Sequence, residues 1–129
     1  MRVFISKWFV RFARKERIED NRLRDAIHDA ERGVIDADYG GGVIKQRVAR
    51  QDEGKSGGYR TIILFRRDYR SFFVYGFAKS DQSNISDSDA QDFKELAKLL
   101  LFATDQELDS LVTSGKFREL EFDGTSEDI

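Results

Sequence analysis

Two apolar segments that lie four residues apart constrain the fold of this chain most strongly. Tyr59 to Arg66 and Ser71 to Ala78 have the composition of strands, and their centres read TIILF and FFVYGFA. Successive side chains of a strand point to opposite faces, so these runs require cover on both faces of a sheet. The short connection from Arg67 to Arg70 predicts that the two strands pair antiparallel.

The other elements follow from the hydrophobic period and from residues that begin or end helices. They are a strand over residues 2–5, a helix capped by Ser6, a second helix capped by Asp20 and ended by Gly33, a further strand from Val43 to Arg50, and two helices begun by Ser86 and Thr104, the last ended by Gly115. The first helix carries its aromatic residues Trp8, Phe9 and Phe12 where a core is expected. The later segment KFRELEF fits an edge strand or an ordered tail.

This order of elements predicts an α+β fold in which helices pack on one sheet face while the other stays partly open. A length of 129 residues suits one domain, with a core over about residues 1–103 and a helical extension and tail over 104–129. The opening MRVFISKWFVRFARK has no uncharged apolar run of the length that a secretory signal or a membrane span needs. We therefore expect a cytoplasmic protein.

The residue types exclude several kinds of chemistry. With no cysteine, the chain has no disulfide, no thiolate nucleophile and no cysteine-bound zinc. A single histidine, His28, makes a histidine metal site improbable, and its place off the apolar stripe of its helix suits a surface residue. We expect neither a metal nor another cofactor.

The segment from Lys45 to Arg60, KQRVARQDEGKSGGYR, has five cations and three glycines among its sixteen residues. Lys45 and Arg47 are two residues apart, so a strand presents both on one face. Cations beside exposed backbone N–H groups of a glycine turn are suited to the phosphate backbone of a nucleic acid. The candidate RNA-binding residues after the strand are Arg50, Lys55, Gly57, Gly58 and Tyr59.

Each of these residues also has a structural alternative. Lys45 and Arg47 fit the solvated face of an edge strand, although the further cations across the glycine turn argue against solvation alone. The two glycines fit a hairpin turn, a role they can combine with binding. Tyr59 fits either stacking on an unpaired base or packing on the core, and the core is the better expectation.

Charge is divided unevenly along the chain. Residues 1–79 contain 18 Lys and Arg against 11 Asp and Glu, whereas residues 80–129 contain 4 against 13. The net charges of the two parts are therefore +7 and −9. This asymmetry suggests a basic body that binds nucleic acid and an acidic region that shields it or faces a basic partner. A solvated pair of acidic helices explains the second part equally well.

Three segments together resemble the RelE/HigB-type toxins of bacterial type II toxin–antitoxin modules. They are the opening MRVFISKWFVRFARK, the run GGGVIKQRVARQDEGKSGGYRTIILFRR and the segment YGFAKSDQSNIS. The similarity covers roughly the first hundred residues, and KSGGYR before an apolar strand is its most specific part. It implies a compact RelE-like fold with an N-terminal strand and two helices, a three-stranded antiparallel meander and C-terminal helices.

The resemblance implies a metal-independent endoribonuclease that binds in the ribosomal A site, cuts messenger RNA, inhibits translation and is neutralised by a cognate antitoxin. Arg60 matches the phosphate-stabilising arginine of the family, and Lys79 matches the basic residue at the end of the last strand. Lys45 and Arg47 correspond to the cationic pair on the preceding strand, with Arg47 and Arg50 as the competing assignment. A lysine crowded by other cations can act as the base in such a reaction.

One departure from the family concerns the acid of the reaction. Members of the RelE branch place a further arginine and a tyrosine beyond the last strand, where this chain has Ser80 and Ser86. The general acid is therefore unassigned. The same fold family includes gyrase poisons, so the alternative function is that of a non-catalytic inhibitor or a module that binds RNA or the ribosome without cutting.

Overall fold

The computed structural model describes residues 1–50 and 58–122, which form an α+β fold as predicted. The elements are β1 (Arg2–Ser6), α1 (Lys7–Glu16), α2 (Asp20–Glu31), β2 (Ala37–Gly40), β3 (Val43–Val48), β4 (Tyr59–Arg66), β5 (Arg70–Ala78), α3 (Asp87–Leu100), α4 (Asp105–Thr113) and β6 (Phe117–Leu120). Two of the predicted RNA-binding residues, Lys55 and Gly57, lie outside the described residues.

The strands of the described residues form one sheet in the order β2-β3-β4-β5-β1-β6. The predicted meander is confirmed, because β3, β4 and β5 pair antiparallel in sequence order. β1 pairs with β5 in parallel, and β6 pairs antiparallel with β1, so the KFRELEF segment contributes an edge strand. The other edge is β2, which the sequence analysis did not predict.

Helices cover both faces of the sheet, so the expectation of a partly open face is wrong. α1 and α2 pack on the face that carries Ile63 and Phe73. α3 and α4 pack on the opposite face, with Ile62 and Phe72. The physical reason is that β4 and β5 are apolar on both sides, and an apolar sheet face exposed to water is unfavourable.

Three of the four predicted helix caps are confirmed. The side-chain oxygens of Ser6, Ser86 and Thr104 accept a hydrogen bond from the backbone N–H three residues further on, at 3.1, 3.0 and 3.1 Å. The prediction for Asp20 is wrong, because Glu19 occupies the N-cap position without a side-chain bond and Asp20 is the first residue of α2. An acidic residue in the first turn still interacts favourably with the helix dipole.

Two further expectations about positions need correction. Trp8 is 45% exposed and stacks on the ring of Phe12 at the surface, whereas only Phe9 of the aromatic stripe is fully buried. The third strand ends at Val48 rather than at Arg50. In the described part of the chain, none of the helices has the length and apolarity to cross a lipid bilayer.

Candidate functional site

Three of the predicted site cations lie together on the sheet face that α3 covers. Arg47 of β3 is the cross-strand partner of Arg60 in β4. Lys45 precedes Arg47 by two residues, so its side chain leaves the same face of β3. The predicted common face of Lys45 and Arg47 is confirmed, and the antiparallel register adds Arg60 to them.

A carboxylate that the sequence analysis missed lies at the centre of these cations. Asp36 Oδ1 accepts a hydrogen bond from Arg47 Nε at 2.9 Å. Its other oxygen, Oδ2, lies 3.6 Å from Arg60 Nε and 3.7 Å from Lys45 Nζ. Lys45 therefore lies beside a carboxylate as well as beside the other cations of the predicted site. We refer to Asp36, Lys45, Arg47 and Arg60 as the Asp36 cluster.

The backbone around Asp36 is held by a buried glutamine. Gln46 of β3 points to the opposite face, where its Oε1 accepts a hydrogen bond from the Asp36 backbone N–H at 3.0 Å. Its Nε2 donates to the carbonyl oxygens of Ala26 and Val34, both at 3.0 Å. One side chain thus joins α2, the segment before β2 and β3. This anchoring fixes the place from which the Asp36 carboxylate reaches the cations.

The members of the Asp36 cluster differ in their exposure. The side chain of Arg47 is 49% exposed, whereas those of Lys45, Arg60 and Asp36 are 14%, 7% and 13% exposed. Arg47 is therefore the part of the cluster that a large ligand meets first. A cavity of about 290 Å³ opens beside it and is lined by Asp29, Val34, Ile35, Asp36, Gln46 and Arg47.

Tyr59 packs in the core on the opposite sheet face, as its structural alternative predicted. The residue is 2% exposed, its ring lies edge-on to Phe12, and its hydroxyl donates to Glu16 Oε2 at 3.0 Å. Burial raises the pKa of Tyr59, and the hydrogen bond to Glu16 raises it further. A ring enclosed in this way presents no free face to a nucleotide base.

Arg50 contacts the ring of Tyr59. Its guanidinium carbon lies 5.3 Å from the centre of the Tyr59 ring. Lys45 and Arg47 both contact Asp36, whereas the Tyr59 ring that Arg50 contacts belongs to the opposite sheet face. Gly58 has a structural reason to be glycine, since an added Cβ would lie 2.3 Å from the carbonyl oxygen of Val48.

Comparison of the chain with models of protein families identifies its family. The family described as "RelE toxin of RelE / RelB toxin-antitoxin system" matches residues 1–120. The chain belongs to the RelE toxin family. No individual curated protein matches the sequence significantly. The family supplies the coarse function, that of a toxin in a toxin–antitoxin system, and it implies an antitoxin as the partner.

In this RelE-family toxin, Lys79 lies at the end of the sheet where β4 begins. Its side chain is exposed, and its backbone N–H donates to the carbonyl oxygen of Gly58 at 3.4 Å. Ser80 is exposed as well. Ser86 is committed to the N-cap of α3, so it is a structural residue rather than a replacement for a catalytic one.

The toxin also has a phenol on the face of the Asp36 cluster that the sequence analysis did not single out. Tyr39 of β2 packs against the core on the α3 side, and its hydroxyl donates to Asn84 Oδ1. Burial raises the pKa of Tyr39, and the negative charge of Asp36 raises it further. Tyr39 therefore links the edge strand to the segment after Lys79. Tyr39 was not predicted because it lies on β2, a strand without a local sequence signal.

Proposed function

We propose that this toxin is a ribosome-dependent endoribonuclease that cuts messenger RNA in the ribosomal A site and thereby inhibits translation in the cytoplasm. The observation that carries the proposal is the grouping of Lys45, Arg47 and Arg60 across β3 and β4. Arginine side chains bind phosphate oxygens through paired N–H groups, and clustered cations stabilise the charge that develops on a phosphate during cleavage.

In the proposed reaction, the RNA supplies its own nucleophile. The 2′-oxygen forms a bond to phosphorus while the bond from phosphorus to the 5′-oxygen breaks, which leaves a 2′,3′-cyclic phosphate and a 5′-hydroxyl group. A base removes the proton of the 2′-hydroxyl, and an acid delivers a proton to the departing 5′-oxygen. This route needs charge stabilisation at phosphorus, which cationic side chains supply.

The proposed roles follow from burial and position. We assign Arg47 and Arg60 to the scissile phosphate and Lys45 to proton transfer beside it. Lys79, exposed at the end of β5, is assigned to the RNA backbone next to the cleaved bond. Arg50, Lys55, Gly57 and Gly58 remain candidates for contacts further along the RNA, while Tyr59 is left out because its ring is enclosed.

A second candidate function is inhibition of the ribosome or of another target without cleavage. The observation that favours it is the segment after Lys79, where Ser86 caps α3 and the arginine and tyrosine of the RelE branch are missing. Arg60 is also enclosed rather than open to solvent, because only 7% of its side chain is exposed. Under both candidate functions the protein is a toxin that inhibits growth. They differ only in whether the protein cuts RNA.

Expression without an antitoxin, followed by primer-extension mapping of cellular messages, tests the proposal. We expect growth arrest together with new 5′ ends inside codons of translated messages. Arg47→Ala is the matched variant, because Arg47 is half exposed and its loss removes little packing. It should weaken both effects. Normal growth despite full-length protein would overturn the proposal, and arrest without new 5′ ends would transfer support to the non-catalytic candidate.

A further inference from the structure

The three nitrogens of the Arg47 guanidinium group differ in their contacts. Its Nε donates to Asp36 Oδ1 at 2.9 Å. Within residues 1–50 and 58–122, its two terminal nitrogens donate to no protein atom. The side chain is 49% exposed, so these nitrogens face solvent. The inner edge of the guanidinium is therefore fixed by a carboxylate, while its outer nitrogens remain available to a ligand.

The two oxygens of Asp36 make contacts of different strength. The bond from Arg47 Nε to Oδ1 has the length of a charge-assisted hydrogen bond. The contacts of Oδ2 with Arg60 and Lys45, at 3.6 and 3.7 Å, exceed hydrogen-bond length. The long contacts of Oδ2 leave Lys45 and Arg60 able to form shorter bonds with a phosphate oxygen beside the carboxylate, while Arg47 keeps its bond to Oδ1. Asp36 can thus stay attached to Arg47 while RNA binds.

Electrostatics gives the carboxylate a second effect. Lys45 Nζ and Arg60 Nε approach the same oxygen, so two positive charges are held near each other in a poorly solvated place. Such charges repel strongly when solvent does not screen them. A negative charge between them offsets this repulsion before any phosphate arrives. The anchor that Gln46 provides keeps that charge in place.

From these contacts we infer that Asp36 is a positioning residue, which orients Arg47 and keeps Lys45 and Arg60 together for the scissile phosphate. The inference rests on the proposed function for its effect on cleavage, but the orientation of Arg47 is a property of the free protein. A carboxylate that only competed with RNA would have the opposite effect on cleavage, since its removal would then accelerate the reaction.

Asp36→Asn tests the effect of the charge, because it keeps the shape of the side chain, and Asp36→Ala tests the orientation of Arg47, because it also removes the acceptor of the Nε bond. Asp38→Asn is the matched control: it also removes one negative charge from the same short segment, and its amide oxygen can still accept from Gly40 N as the carboxylate does at 2.8 Å. Asp36→Glu restores the charge and should recover part of the lost activity.

Two measurements should be made on the full chain. In nuclear magnetic resonance spectra of the free protein, the Nε–H of Arg47 should exchange slowly with water in the wild type and in Asp38→Asn, and rapidly in Asp36→Ala. In single-turnover cleavage on ribosomes carrying a defined message, Asp36→Asn should be slower by a factor on the order of 100. Its binding to ribosomes carrying a message with a 2′-deoxy nucleotide at the cleavage site should be unchanged or tighter.

The outcomes separate this inference from the proposed function. Equal Arg47 exchange in the wild type and Asp36→Ala would overturn the inference, whatever the enzyme does. Cleavage by Asp36→Asn at or above the wild-type rate would overturn it too, and would identify a competing carboxylate. If Asp36→Asn lost binding and cleavage equally, and its nuclear magnetic resonance signals changed across the whole protein, the role of Asp36 would be in folding and the inference would be wrong. A wild type that never cleaves would refute the proposed function, and the exchange measurement would still decide the orientation of Arg47.

Discussion

Arg47 and Arg60 are cross-strand partners in very different surroundings. Arg47 reaches solvent, whereas the Arg60 side chain is enclosed beside Asp36 and is only 7% exposed. A buried guanidinium contributes packing as well as charge. A test of the proposed role of Arg60 in cleavage therefore needs a variant that separates charge from packing.

Arg60→Lys provides that separation, because it keeps the charge and loses the planar pair of N–H groups that binds phosphate. We expect cleavage to fall by a factor on the order of 100, with growth arrest relieved and thermal unfolding shifted only slightly. Arg60→Ala should lose activity and stability together. Arg11→Lys, at an exposed position of α1, is the control. Wild-type cleavage by Arg60→Lys would remove Arg60 from the site.

Tyr59 gives a prediction about alkaline stability. Burial and the bond to Glu16 raise the pKa of Tyr59 above its ordinary value of 10.0, so the folded state holds the phenol proton more tightly than the unfolded chain does. The corresponding stability is complete below pH 10 and is lost as the pH rises through the higher folded value. The alkaline decline in unfolding free energy should be shallower in Tyr59→Phe than in the wild type. Tyr69→Phe, at an exposed tyrosine, is the control, and equal slopes for all three proteins would contradict this account.

At the scale of elements, β3 carries different functions on its two faces. Lys45 and Arg47 leave one face toward the Asp36 cluster, and Gln46 leaves the other to hold the segment before β2. A one-residue change of register would exchange these roles. The strong pairing of β3 with β4 therefore protects the site as well as the sheet.

Gln46→Leu should loosen the segment that carries Asp36. It removes the acceptor for Asp36 N and the donor to the carbonyl oxygens of Ala26 and Val34. Buried groups left without partners should lower the free energy of unfolding by about 2–3 kcal/mol. Hydrogen exchange at Asp36 should accelerate as well. Gln106→Leu, at an exposed position of α4, should change neither the free energy of unfolding nor the exchange rate of the Asp36 amide. An unchanged exchange rate in Gln46→Leu would show that other contacts hold the segment.

The meander and the helix caps were predictable because each depends on residues close in sequence. TIILF, FFVYGFA and the turn between them determine β4 and β5, and Ser6 or Thr104 bonds to a backbone group three residues away. Lys45 and Arg47 were likewise predictable from their spacing. Asp36 was missed because its role comes from the pairing of β2 with β3, and no local signal identifies an edge strand of four residues. The exposure of Trp8 depends equally on tertiary packing.

At the scale of the whole molecule, part of the acidic second half of the chain pairs with the start of β1. Arg2 forms ion pairs with Asp105, Asp109 and Glu119 at 3.2, 2.8 and 2.8 Å. The hydrogen bond with Glu119 is the main reason that the pKa of Arg2 is raised above its ordinary value. Arg118 pairs in the same way with Asp20, so opposite charges join the two ends of the described chain.

The antitoxin should act on the basic surface that remains. We expect binding of the toxin to ribosomes to weaken steeply with salt, because each neutralised phosphate releases counterions. We expect an acidic antitoxin segment to cover β3 and β4 at least in part. Hydrogen exchange with and without the antitoxin measures this. New protection confined to α1 and α2, with β3 and β4 unchanged, would contradict coverage and indicate steric exclusion from the ribosome.

The most direct test of the central claim is a comparison of one defined message, free and on purified ribosomes, after incubation with the purified toxin. Mapping of the 5′ ends by primer extension gives the position of each cut. The account predicts cuts in the A-site codon of ribosome-bound message, a 2′,3′-cyclic phosphate on the upstream fragment, and an intact free message. An intact message on ribosomes, from a preparation that still arrests growth when expressed, would contradict it.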